Sequence, residues 1–288
     1  MIGAILPGLL ACACSRDEAG GQSAVLTVWA HHGQAAEHAA MQAIVADFNA
    51  AAAPAGPRVR ITFFPDQQYA DKVSIAAATG ELPDIIEIDG PYVGPWAAEG
   101  LLQPLGDLIA PDVRADLMPT IVQQGTYAGE LYAVGAFDSG LAVYFNRDLL
   151  ARANIVAPER VADAWDWDEF VAALRAVQPH VDIPLSLHLD VPADEWLTYA
   201  FAPLVWSNGG GLIDVAGGRV EGVLNSPATV TAGGRRQQLF AEGLAMPPSS
   251  QPHPFAGGKA ALDWAGRWVL PGCEPTAGRG VCGGPCPR

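Results

Sequence analysis

Tryptophan, histidine and aspartate gather where the β-rich runs of this chain end. "TVWAHHGQ" (27–34) closes one run with Trp29, His31 and His32, and "DIIEIDG" (84–90) closes another with Glu87 and Asp89. An indole offers a flat apolar face, an imidazole one donor and one acceptor, and a carboxylate only acceptors. Such groups suit stacking and hydrogen bonding of a small molecule beyond the carboxyl ends of strands, where open α/β sheets place their sites. Asp84, Glu87 and Asp89 could suggest paired carboxylates for acid–base work. Asp84 lies at the strand start, however, while Glu87 and Asp89 share one face. Solvated strand ends account for Asp84 and Glu87, which leaves Asp89 as the expected hydroxyl acceptor. Trp29 stays open between stacking and core packing, because it sits at the edge of an alternating strand. His31 and His32 are adjacent and diverge, and neither a carboxylate partner close in sequence nor a metal site is expected for them. No Gly-x-Ser-x-Gly elbow, phosphate-binding Walker loop or His-Glu-x-x-His occurs, so neither a catalytic set nor a cofactor is expected.

The elements that must hold these residues follow a rhythm. "AVLTVWA" (24–30), "RVRITFF" (58–64) and "LPDIIEIDG" (82–90) read as strands. Between them, residues 36–53 place Met41, Ile44, Val45 and Phe48 at helical spacing, and residues 67–80 form a second helix closed by Gly80. Strand, helix, strand, helix, strand with short loops implies right-handed βαβ units and a mostly parallel sheet. Further on, residues 129–153 read as two extended runs split at Asp138-Ser139-Gly140, then a helix. A helix over 163–178 starts with Asp166 as its cap and Glu169 three residues later, and its buried stripe is Phe170, Leu174 and Val177. "IPLSLHL" (183–189) is a strand and 194–211 an apolar helix ending in glycines. Ser226-Pro227 opens another helix, which Gly233-Gly234 weaken.

The chain has 288 residues, half of them hydrophobic, enough for one large domain or two modest ones with cores of their own. Its net charge of −15 disfavours phosphate backbones, so nucleic acid is not an expected partner. The five cysteines stand at 12, 14, 273, 282 and 286, and a zinc site from the last three lacks a fourth ligand and any Cys-x-x-Cys pair. "MIGAILPGLLACACS" is too short to span a bilayer and resembles a secretory signal. Within it, Leu9-Leu10-Ala11-Cys12 resembles a bacterial lipobox with Cys12 as the lipidated residue, although no Lys or Arg precedes the apolar run. Residues 15–23 read as a polar tether.

Five segments in order carry a family resemblance: "DIIEIDGPYVGPWAAEGLLQPL", "GELYAVGAFDSGLAVYFNRDLLARA", "WDWDEF", "WSNGGGLID" and "FAGGKAALDWAGRW". Together they resemble the extracellular sugar-type solute-binding proteins of ABC importers, the maltose-binding-protein-like class. The resemblance implies a two-lobed α/β periplasmic-binding-protein fold of type II, with ligand in the interlobe cleft and hinge closure around it. It divides the chain into a signal and tether at 1–23, a first lobe from 24–138 with 253–272, and an incomplete second lobe at 139–252. Residues 273–288 form a tail foreign to the pattern, as if the C-terminal part of the fold were missing through truncation or a frameshift. The implied partners are a sugar or other polyhydroxy solute and the importer's membrane subunits. The chain would be a monomer outside the cytoplasmic membrane, in the periplasm or at the cell surface, touching the membrane only through its lipid. The rival readings are an exported carbohydrate-active enzyme and a non-functional fragment.

A sugar needs acceptors and amides for its hydroxyls and aromatic planes for its C–H faces. The resemblance adds Asp138 at a lobe crossing, Trp206 and Asn208 before the triple glycine, and Trp264, Gly266 and Trp268 on the returning segment. Gly266 would let backbone approach the ligand, with one tryptophan stacking and the other packed. With Trp29, His31, His32 and Asp89 these are the expected ligand-binding residues.

Overall fold

The computed structural model describes residues 24–54, 56–106, 108–189, 195–215, 217–247, 254–273 and 281–284. The expected signal, Cys12 and the tether lie outside the described residues, as do most of the second expected crossing (247–254) and most of the tail. The chain divides between Val134 and Gly135 into two units.

In the first unit, β1 (Val25–His31), β2 (Arg58–Phe64) and β3 (Ile85–Ile86) form a parallel sheet in the order β2-β1-β3. The connecting helices are α1 (Ala35–Ala51) and α2 (Asp66–Thr79), the βαβ pattern expected from the sequence. Asn49, near the end of α1, fixes β2 by a two-way bond: its amide donates to Val59 O and its Oδ1 accepts from Val59 N, each at 2.8 Å. Asp84 does the same for β3, accepting from the Thr27 N–H at 2.8 Å and the Thr27 hydroxyl at 2.7 Å. Those two bonds hold its carboxyl below the usual range. Asp84 therefore ties two strands together, where the sequence suggested a solvated end. Then follow α3 (Gly90–Ala98), α4 (Pro111–Asp116), α5 (Pro119–Gln124) and a short antiparallel pair, β4 (Thr126–Tyr127) with β5 (Glu130–Leu131). Tyr69, Val73 and Trp96 form a small core with Trp29 and Phe64 against it. The helical stripe on α1 is only half covered, since Ile44 and Phe48 are exposed.

The second unit is built on β6 (Leu141–Asn146), β7 (Ile183–Ser186), β8 (Ala260–Gly266) and β9 (Val281–Gly284), in the order β7-β8-β6-β9. β7 and β8 are parallel, whereas β6 runs antiparallel to both β8 and β9. Two points differ from the sequence expectation. Residues 254–273 belong here and not with the first lobe, because β8 lies between β7 and β6 with all seven of its residues buried. Residues 281–284 of the supposedly foreign tail form a backbone ladder with β6. The helices are α6 (Arg147–Arg152), α7 (Trp167–Val177), α8 (Glu195–Ser207), α9 (Pro227–Ala241) and α10 (Leu270–Cys273). The box at the start of α7 forms as read: Asp166 accepts from Glu169 N and Glu169 accepts from Asp166 N. Phe170, Leu174 and Val177 are fully buried. Ser226 caps α9, which continues through Gly233 and Gly234.

Arg175 of α7 donates twice, at 2.8 Å each, to the carboxylate of Glu242 just past α9. These bonds, with a further one from Gln238, hold the Glu242 carboxyl down at about 2. A carboxylate depressed in the folded state stabilises above its unfolded value, and the contribution is lost as pH falls through the folded value. Glu242→Gln is therefore expected to lower the melting temperature at pH 7. The gap from the parent chain should close as pH falls from 4.5 to about 2, read by circular-dichroism melts across that range.

Candidate functional site

In the first unit the parallel ladder brings the carboxyl ends of β1 and β3 to one edge, and His31 ends β1 there. Its Nδ1 lies 3.0 Å from Glu87 Oε2, which also accepts from the His31 N–H at 3.2 Å. Its Nε2 lies 3.8 Å from Glu37 Oε1 on the first turn of α1. The turn between them uses Gly33 at φ +57°, where a Cβ would meet Glu37 Oε2 at 2.4 Å. Glycine is required there both for the left-handed backbone and for the space the carboxylate fills. The Tyr69 ring centroid lies 6.2 Å from His31, and its hydroxyl donates to Trp29 O at 2.9 Å. Burial first, and then the Glu87 carboxylate, raise the Tyr69 hydroxyl well above its ordinary value.

The other expected residues of this unit divide. Trp29 is half-buried and meets Phe64 edge-on at 5.0 Å, with Lys72 Nζ 5.3 Å from its ring. His32 is exposed and meets His38 at a tilt with ring centroids 4.3 Å apart, so the two adjacent histidines do diverge. Asp89 is exposed at the N-terminus of α3 with no side-chain capping bond, free to accept from a ligand. Sequence reasoning passed over Glu37 as a partner for His31, although it lies only six residues away. A helix start folding back over a strand end was the signal.

In the second unit, β7 and β8 likewise end on one edge. His188 follows β7 at φ +50°, and its Nε2 lies 2.8 Å from Asp263 Oδ1 on β8. Asp263 is buried in a strand otherwise almost wholly apolar, and such a charge is held only if paired. Around this pair stands an aromatic wall. Trp196 lies 5.7 Å from His188, 6.1 Å from Trp268 and 5.8 Å from Tyr199, and Tyr199 is 5.8 Å from Trp268. Trp196 Nε1 donates to Leu187 O at 3.1 Å, and the Tyr199 hydroxyl donates to Ser139 O. Trp268 keeps 39 % of its surface exposed, so the wall has an open face.

Three of the expected residues have partners within the unit. Trp264 is 4 % exposed and packs on Phe170 at 6.4 Å, so it belongs to the core. Gly266 lies under the Trp268 ring, which folds back over it and leaves no room for a Cβ. Asn208 is consumed by α9, donating to Ala228 O at 2.6 Å and accepting from Arg235. Trp206, on the last turn of α8, is 59 % exposed, and Asp138 is exposed before β6; neither joins the aromatic wall by a ring contact among the described residues.

A sequence profile of the bacterial extracellular solute-binding proteins matches residues 32–270, and the chain belongs to that family. The fold is similar to the GacH receptor of Streptomyces glaucescens, solved unliganded and with acarbose: TM-score 0.74, 24 % identity, covering 92 % of this chain and 67 % of that one. It is similar to the cyclic alpha-maltosyl-1,6-maltose binding protein of Arthrobacter globiformis, with TM-score 0.73, 24 % identity and coverage of 92 % and 66 %. It is also similar to the maltotriose binding protein of Thermus thermophilus, with TM-score 0.68, 19 % identity and coverage of 91 % and 66 %. The chain thus spans about two thirds of the length of the solved structures it matches. These are binding proteins of the α/β class expected from the residues.

The separation of core from wall can be measured. Trp264→Ala is expected to cost about 3–5 kcal/mol in urea unfolding, as for a buried tryptophan. Trp268→Ala, at the half-exposed wall, should cost clearly less.

Proposed function

We propose that this chain is the substrate-binding component of an ABC importer and captures a sugar or related polyhydroxy solute without altering it. The observation that carries the reading is the aromatic wall of Trp196, Tyr199 and Trp268 at the carboxyl ends of β7 and β8. Three rings with one open face suit the apolar C–H surface of a sugar. The His188–Asp263 pair beside them would orient the first ring it touches. Family membership and the oligosaccharide ligands of the similar proteins support the same class of solute.

The family is extracellular, and no described helix is long and apolar enough to cross a membrane. Placement outside the cytoplasmic membrane follows as our reading, with Cys12 as the lipid attachment point and importer membrane subunits as the partner. The chain acts as a binder and not an enzyme in this reading.

Isothermal titration with maltose, maltotriose and acarbose tests it. At least one should bind with a measurable constant and raise the melting temperature. Trp268→Ala should weaken that binding about tenfold, equivalent to ~1.4 kcal/mol. Chromatography after prolonged incubation should recover the sugar intact. Cleavage products would favour the carbohydrate-active enzyme instead, and unchanged affinity in the variant would remove the wall from the site.

A further inference from the structure

We propose that His31, Glu37 and Glu87 form a binding site for a divalent transition-series cation on the first unit. This goes beyond the sugar reading and does not rest on it. One ring nitrogen of His31 and one carboxylate oxygen from each glutamate lie within 4.8 Å of one another. They come from three different elements: the end of β1, the first turn of α1 and the residue after β3. Backbone bonds hold two of them in place. The Gln34 N–H donates to Glu37 Oε2 at 3.2 Å, and the His31 N–H donates to Glu87 Oε2 at 3.2 Å. The side chains are about three-quarters covered, with relative exposures of 26, 25 and 24 %.

The electrostatics favour a cation. Two carboxylates share this partly buried edge with a single imidazole, and like charges held close disfavour each other. Glu37 divides its two oxygens: Oε2 completes the helix cap, while Oε1 is buried and accepts no hydrogen bond among the described residues. A buried acceptor left without a donor is costly, and a metal ion satisfies it. The donor set sets the class of ion. One imidazole with two carboxylates matches zinc and its neighbours, whereas calcium asks for six or more oxygens. Tetrahedral zinc with ligands at ~2.0–2.1 Å places ligand atoms ~3.4 Å apart. Glu87 meets the Nδ1 of His31 at 3.0 Å and Glu37 meets its Nε2 at 3.8 Å, so an ion takes one ring nitrogen, and a set of one nitrogen with one oxygen from each glutamate lies within 4.8 Å. Closing the set from 4.8 Å requires the three side chains to draw together. The remaining exposure leaves a fourth position for water.

The test is isothermal titration of Zn²⁺ into the untagged full chain, with its cysteines blocked by iodoacetamide so that thiolates do not compete. One site per chain is expected, together with a rise in melting temperature that EDTA reverses. Glu37→Gln and Glu87→Gln should each weaken zinc binding at least tenfold, no less than loss of an outer-shell partner does. Melts of both variants in EDTA check that they fold. His38→Ala removes the His32–His38 pair, a rival zinc ligand set, and should leave the site intact. Absence of zinc binding by the parent chain overturns the proposal. So does binding that survives both glutamine variants or disappears with His38→Ala.

Discussion

β8 is enclosed by β7 on one side and β6 on the other, and all seven of its residues are buried. A strand covered on both faces can carry a charge only if a partner meets it inside, and Asp263 is met by His188. That pairing reaches across to the end of β7, where His188 takes a left-handed backbone unusual for a residue with a side chain. Trp196 packs on His188, and Trp268 and Tyr199 pack on Trp196. The exposed aromatic face of the second unit thus rests, ring upon ring, on one buried His–Asp contact.

The first unit solves a similar problem with less cover. Its sheet has three strands, its core is small, and α1 keeps Ile44 and Phe48 in contact with solvent. Polar brackets take over part of the work: Asn49 holds β2 to α1, and Asp84 holds β3 to β1. On α2, Ile75 is exposed as well.

Much of the architecture was legible because it depends on neighbours in sequence. The Asp166–Glu169 box, the Ser226 cap and the Gly80 terminus are each settled within a few residues. The candidate site was less legible. Trp264 and Trp268 are four residues apart in similar company, yet one is core and the other lines an open face. Pattern cannot separate them, because a strand buried on both faces shows no alternation. Asn208 looked like a ligand contact beside a glycine loop, but α9, which starts nineteen residues later, claims both ends of its amide.

From the sequence alone came the residue types, the βαβ rhythm, the caps and the family resemblance, because each rests on local spacing or on ordered motifs. Which side chains meet was decided by the tertiary structure. Parallel pairing sets the ends of β1 and β3 on one edge, which joins His31 to Glu87 across 56 positions. The same pairing joins His188 to Asp263, and it assigns β8 to the second unit. Such contacts depend on strand order and register, and strand order is fixed by burial over the whole sheet, not by the residues flanking any one strand.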